Sequence, residues 1–166
     1  MIRLRVLKAE DLVDVLRIQG ECYTDIEPES HDSLREKILA SPGTSFIAKS
    51  VEGVIGYLIS VPIVYPQLPP LDCSVFTRPA HADTLYIHDV AVSRCGRGTG
   101  VAQAMVRESM KAAKDQGFSQ ACLVAIQNSH HFWEQFGFNI AVTSDVRAAK
   151  ALSSYGSGAK LMHAWI

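Results

Sequence analysis

The sequence predicts an α/β or α+β fold built on one central sheet. Three observations predict it. Strand-like and helix-like segments follow one another along 166 residues with no internal repeat. A buried-looking run, Leu85 to Val92, passes through Gly96-Arg97-Gly98-Thr99-Gly100 into the best amphipathic helix pattern in the chain. Two apolar runs flank a tight Glu52-Gly53 hairpin signal. The chain is read as one domain, residues 1–166, long enough to bury a real core.

The elements follow in order. Ile2, Leu4 and Val6 alternate with Arg3 and Arg5, which predicts a first strand. Glu10 and Asp11 open a helix, because acidic residues suit the positive end of the helix dipole; Leu12, Val15 and Leu16 share its buried face. A second helix spans Asp32 to Leu39 and stops at Ser41-Pro42-Gly43. Ser45 to Ser50 and Val54 to Val61 are strands. Pro62 to Pro79 holds five of the seven prolines, which excludes a helix or a central strand and predicts a long structured loop, of a length that is usually functional or disordered. Thr84 to Val92 is a strand and Arg97 to Gln116 a helix ending at Gly117. Ala121 to Ile126 is a short buried strand, His130 to Phe136 one or two helical turns, Phe138 to Val142 a strand and Lys160 to Ile166 the last strand. Ser144 to Gly158 is small and polar, and is expected to be mobile.

Composition excludes several function classes. Sixteen basic against seventeen acidic residues give no basic balance for a nucleic-acid partner. No run approaches a membrane span, and no secretory leader is visible. Cys22, Cys73, Cys95 and Cys122 are far apart, which argues against a zinc site or disulfide framework and fits a reducing cytoplasm; Cys22 and Cys122 are expected as buried filler. His130 and His131 diverge by about 100° on a helix, so no metal site is expected there.

The glycine turn carries the most chemistry. Glycines let backbone N–H groups converge without Cβ obstruction, and a helix N-terminus adds free donors and partial positive charge. Together with Arg97 they suit a pyrophosphate. A P-loop is excluded, because Val101-Ala102 stand where Lys-Ser/Thr is needed; a Rossmann fingerprint fails from either Gly96 or Gly98.

Cys95-Gly-Arg-Gly-Thr-Gly100 resembles the acyl-CoA loop of the GCN5-related N-acetyltransferase (GNAT) superfamily, Gln/Arg-x-x-Gly-x-Gly/Ala, with Cys95 departing at the first position. Leu123 to Phe138 resembles the closing motif of the same family, through Asn128, Trp133 and Gly137-Phe138, with a connector about two residues short. The resemblance covers roughly Phe46 to Ile166. It implies a mixed, mostly antiparallel sheet flanked by helices, with two parallel strands splayed apart. It also implies acetyl-CoA as cosubstrate, no metal, and direct attack of an amine on the thioester. The cofactor would then be held by Val90, Ala91, Val92, Arg97, Gly98, Thr99, Gly100, Val101, Ala102, Asn128 and Phe132.

Trp133 stands where many members place a proton-donating tyrosine, and an indole cannot do that work. Asp89 interrupts an apolar strand and is the candidate base or substrate contact. Tyr86 to Val92 also resembles the Tyr-Ile-Tyr-Asp-Leu-Ala-Val stretch of aminoglycoside 3-N-acetyltransferases. His88 is expected on the opposite face as a packing histidine. Tyr155 is a candidate general acid. The acceptor pocket is expected from Glu21 to Ser30, whose four acidic residues suit a cationic amine, and from Pro62 to Pro79. The expected partner is a small-molecule amine, with no nucleic acid and no membrane, for a monomer or homodimer. A non-catalytic acyl-CoA-binding module and a protein or peptide N-terminal acetyltransferase remain alternatives.

Overall fold

A seven-stranded sheet forms the centre of the computed structural model, which describes residues 1–166. Its strands are β1 (Arg3–Val6), β2 (Phe46–Ser50), β3 (Gly53–Ile63), β4 (Thr84–Val92), β5 (Gln120–Ala125), β6 (Asn139–Ile140) and β7 (Lys160–Trp165). They lie in the order β1-β2-β3-β4-β5-β7-β6. Every neighbouring pair is antiparallel except β4 and β5. The helices are α1 (Leu12–Cys22), α2 (His31–Ala40), α3 (Val101–Asp115), α4 (His130–Glu134) and α5 (Val146–Ser153). None is long and apolar enough to cross a membrane.

Sequence periodicity explains how the layers form. On α3, Val101, Met105, Val106, Ser109 and Ala113 recur at helical spacing and are buried. The four apolar ones pack on one sheet face with Leu58, Leu85, Ile87 and Leu123. On the other face α1 and α2 bring Leu12, Val15, Ile18, Leu34 and Ile38 against Ile47, Tyr57, Ile59 and Ala91. A third cluster, including Val61, Tyr86, Cys122, Leu68 and Ala151, joins the proline-rich connection and α5 to the sheet.

The structure corrects several expectations. Strand β3 runs two residues further than its predicted end, through Pro62 to Ile63. Ile63 O accepts from Asp83 N, so Pro62 turns its nitrogen away from β4, towards a side where β2 pairs only as far as Leu58. The proline therefore removes no ladder bond. Residues 144–158 hold a helix, α5, where a mobile segment was expected; the Asp145 side chain accepts from Ala148 N at 2.7 Å and caps it. Helix α3 begins at Val101, because Arg97 to Gly100 form the turn that feeds it. Strand β6 shrinks to two residues.

Candidate active site

The site begins where two parallel strands part. β4 and β5 pair only from Thr84↔Gln120 to Ile87↔Leu123, although both continue beyond. Ser93 N donates to Ile55 O, so the antiparallel alternation turns the N–H and C=O of Val92 and Val90 away from β3, towards the gap. Their carbonyls instead meet side chains from the end of α1. Cys22 Sγ donates to Val92 O at 3.2 Å, and Tyr23 Oη lies 3.4 Å from Val90 O. Cys22 is thus a half-buried hydrogen-bonding thiol, whereas Cys122 is the buried filler expected.

A cavity of about 280 Å³ occupies the gap. One end is apolar, walled by Val90, Val92, Ala102, Ile126, Phe132 and Trp133. The other is polar, walled by Gln19, Tyr23, Glu27, Glu29, His88, Asp89 and Tyr155, with Pro28 and Leu71 also in the lining. A second hollow of about 420 Å³, lined in part by Tyr65, Ile140, His163 and Trp165, shares no residue with it.

The cavity gathers six of the thirteen residues expected to be catalytic or cofactor-binding: Asp89, Val90, Val92, Ala102, Phe132 and Tyr155. Ala91 faces the opposite core beside Tyr57. Val101 is buried against the sheet. Asn128 adopts a left-handed turn, φ 57°, and its neighbours Gln127 and Ser129 line the cavity instead. Arg97, Gly98, Thr99 and Gly100 stand outside the wall at the exposed entry to α3. Gly98 and Gly100 have φ of 75° and 78°, a region that favours glycine. Thr99 Oγ1 closes the turn on Gly96 O at 2.6 Å. The first N–H groups of α3 lack intrahelical partners and offer an anion-binding end.

A β-bulge reorganises the polar end. The register shifts between Ile59↔Asp89 and Ser60↔Ile87, which leaves His88 as the extra residue of β4. Strict alternation would separate His88 from Asp89, but the bulge turns both to the α1–α2 face. Both carboxylate oxygens of Asp89 are occupied, accepting from Tyr23 Oη at 2.5 Å and Tyr57 Oη at 2.6 Å. Burial raises the Asp89 carboxyl above its ordinary range, against the neighbouring His88 and the two phenol bonds. The same burial, with Asp89 beside them, pushes both phenols well up.

Glu29 was expected within an acidic cluster facing substrate. It is instead buried and paired: Oε1 accepts from Ser33 Oγ at 2.5 Å and from Lys37 Nζ, and Oε2 meets His88 Nε2 at 2.5 Å. Its backbone is clasped by the Gln19 amide, at 3.1 and 3.2 Å. Burial pushes the Glu29 carboxyl up, but His88 and Lys37 outweigh it and hold it at about 2. No sequence spacing announces this group, because its members come from residues 29, 33, 37 and 88.

Tyr155 is a half-buried tie rather than a loop tyrosine. It accepts from Tyr86 Oη at 2.9 Å and donates to Pro69 O at 3.0 Å, so its proton is already committed. Burial also weakens it as an acid. On α4, His130, His131 and Glu134 bring one donor atom each within 4.8 Å, closer than the sequence argument allowed. His131 Nδ1 and Glu134 Oε2 form an open surface pair at 3.0 Å.

Comparison with known proteins fits this geometry. Solved structures share the fold along nearly the whole chain. One is the PaiA N-acetyltransferase from Thermoplasma acidophilum in complex with coenzyme A, 15% identical with TM-score 0.69, covering 100% of this chain and 99% of that one. The ribosomal-protein-S18-alanine N-acetyltransferase from Escherichia coli is 16% identical with TM-score 0.68, covering 100% and 94%. The IAA acetyltransferase from Bacillus cereus is 15% identical with TM-score 0.64, covering all of both chains. At such identities the likeness concerns the fold alone. No curated protein sequence matches the chain. The model of the acetyltransferase (GNAT) family matches residues 12–138, from the first helix through Phe138, and the chain belongs to that family.

Proposed function

We propose that this protein transfers the acetyl group of acetyl-CoA to a primary amine of a small molecule, by direct attack on the thioester. The observation that carries the reading is the split between β4 and β5, with the backbone of Val90 and Val92 turned into an apolar-to-polar cavity. The pantetheine arm would run along β4 past Ala102 and Phe132. Its pyrophosphate would meet Arg97, Gly98, Thr99 and Gly100, with the α3 N-terminus behind them. A backbone N–H near Val90 would face the oxyanion.

The acceptor would enter at the polar end. Asp89 contributes negative potential there and fixes Tyr23 through a 2.5 Å bond. Pro28 and Leu71 also line this cavity, and the acidic Glu27 and Asp89 in its wall suit a small cationic amine. With Trp133 unable to donate and the Tyr155 proton held by Pro69, the thiolate leaves without either. A thiol with pKa near 8.5 tolerates this.

The test is thermal unfolding with saturating acetyl-CoA, with NAD and ATP as controls, followed by amine-dependent release of CoA thiol. A ligand at 100 times its Kd adds about 2.7 kcal/mol to stability. A shift with acetyl-CoA alone supports the reading; equal responses to all three ligands, or none, count against it. Turnover confined to peptide N-termini would replace the small molecule with a peptide acceptor.

A further inference from the structure

One buried polar atom, on a residue that lines the cavity, has no partner. The His88 imidazole is 2% exposed, its residue lines the polar end, and its Nδ1 makes no hydrogen bond. A buried polar atom left unpaired is costly, and such atoms are rare in folded proteins. Meanwhile Nε2 is firmly held, 2.5 Å from Glu29 Oε2. Glu29 is ionised at neutral pH, with its carboxyl at about 2, so it can only accept. In the neutral ring Nε2 therefore carries the hydrogen, and Nδ1 keeps a bare lone pair.

This arrangement resembles, in its physics, any carboxylate-oriented histidine base. The carboxylate fixes the tautomer and steadies the imidazolium that forms. Here the orienting carboxylate is itself fixed by Lys37 and Ser33, and the Gln19 amide holds the Glu29 backbone. Asp89 is less available for the task, because both its oxygens already accept phenol protons.

We propose that His88 Nδ1 is the general base that deprotonates the acceptor amine, with Glu29 as its positioning residue. The inference rests on the acetyl-transfer reading above. An alkylamine of pKa near 10 reaches the site as an ammonium ion, which has no lone pair to attack with. Nδ1 takes one proton from it. The freed nitrogen pair forms a bond to the thioester carbonyl carbon, and the C–S bond breaks with its pair going to sulfur. The nitrogen gives a second proton to that thiolate, leaving the amide and CoA thiol. His88 then returns its proton to water. Two protons leave the ammonium and both are accounted for.

The test combines spectroscopy and kinetics on the full chain. With 15N-histidine labelling and acetyl-CoA present, the ring of His88, assigned by its loss in His88→Gln, is expected at pH 8 as the Nε2–H tautomer. Lowering the pH is expected to protonate Nδ1. The groups facing the ring in that titration are Glu29 and, behind it, Lys37 from the α1–α2 side, and Asp89 and Tyr86 from β4. A neutral ring bearing its hydrogen on Nδ1, or a ring still doubly protonated at pH 8, overturns the proposal. In the kinetic arm, wild type and His88→Gln are compared using whichever amine the screen above identifies, alongside acetyl-CoA affinity. A loss of roughly 100-fold or more in kcat with unchanged acetyl-CoA affinity is expected. An unchanged rate overturns the proposal. Glu29→Gln is expected to lower kcat and move the pH profile while leaving acetyl-CoA affinity intact. Failure of wild type itself to bind acetyl-CoA would refute the acetyl-transfer reading instead, which separates the two claims.

Discussion

Removing the charge of Glu29 tests the polar end of the cavity and can be sized from the structure. Glu29→Gln keeps the shape but leaves Lys37, fully buried, without its anion. The Glu29 carboxyl lies at about 2 against an ordinary 4.5. At about 1.36 kcal/mol per pKa unit, the difference corresponds to roughly 3 kcal/mol. Because the folded value is depressed, this stability is fully present above pH about 4.5 and is lost as pH falls towards about 2. Urea unfolding of both proteins checks it. The wild-type advantage is expected at roughly 3 kcal/mol at pH 7 and under about 1 kcal/mol near pH 2.5. An advantage that is equal at the two pH values would refute the reasoning, as would one below about 1 kcal/mol at pH 7.

Other expectations follow from the same geometry. Tyr57→Phe removes one of two donors to the half-buried Asp89 carboxylate, and a loss of about 1–3 kcal/mol is expected in denaturant titrations. In Gly96→Ala the new Cβ would stand 2.8 Å from Val92 Cγ1 and 3.1 Å from Ile55 O. Overpacking of about 1–3 kcal/mol should lower the midpoint, and the displaced turn should weaken acetyl-CoA binding in calorimetry. Arg97→Ala is expected to weaken acetyl-CoA binding by roughly tenfold or more, the usual worth of a charged hydrogen bond to an anion, with the unfolding midpoint unmoved. Trp133 lines the cavity while Trp165 is 75% exposed. Acetyl-CoA should therefore change tryptophan emission in wild type and Trp165→Phe, and leave it unchanged in Trp133→Phe.

The reach of the sequence differs between the two ends of the cavity for a physical reason. The apolar end was legible because local rules build it. Leu85 to Val92 has strand character, the glycines allow positive φ at residues 98 and 100, and α3 carries a helical stripe. The polar end depends on contacts between distant residues. Glu29, Lys37 and His88 meet only after α1, α2 and β4 have packed. His88 also faces the cavity through a bulge, which periodicity cannot register because one extra residue reverses the alternation. Helix α5 was missed among small and polar residues, although Asp145 before Val146-Arg147-Ala148-Ala149 was a readable N-cap signal. Tyr155 was expected on a mobile loop, but it stands half-buried just past the end of that helix, tied to Tyr86 and Pro69.

The most direct measurement is a 15N amide titration of the full chain with acetyl-CoA. The account predicts saturable shifts at Val90 and Val92, whose N–H groups face the gap, and across Gly98 to Ala102 at the start of α3. Shifts confined to the other hollow, around His163 and Trp165, or no shifts at millimolar acetyl-CoA, would contradict it.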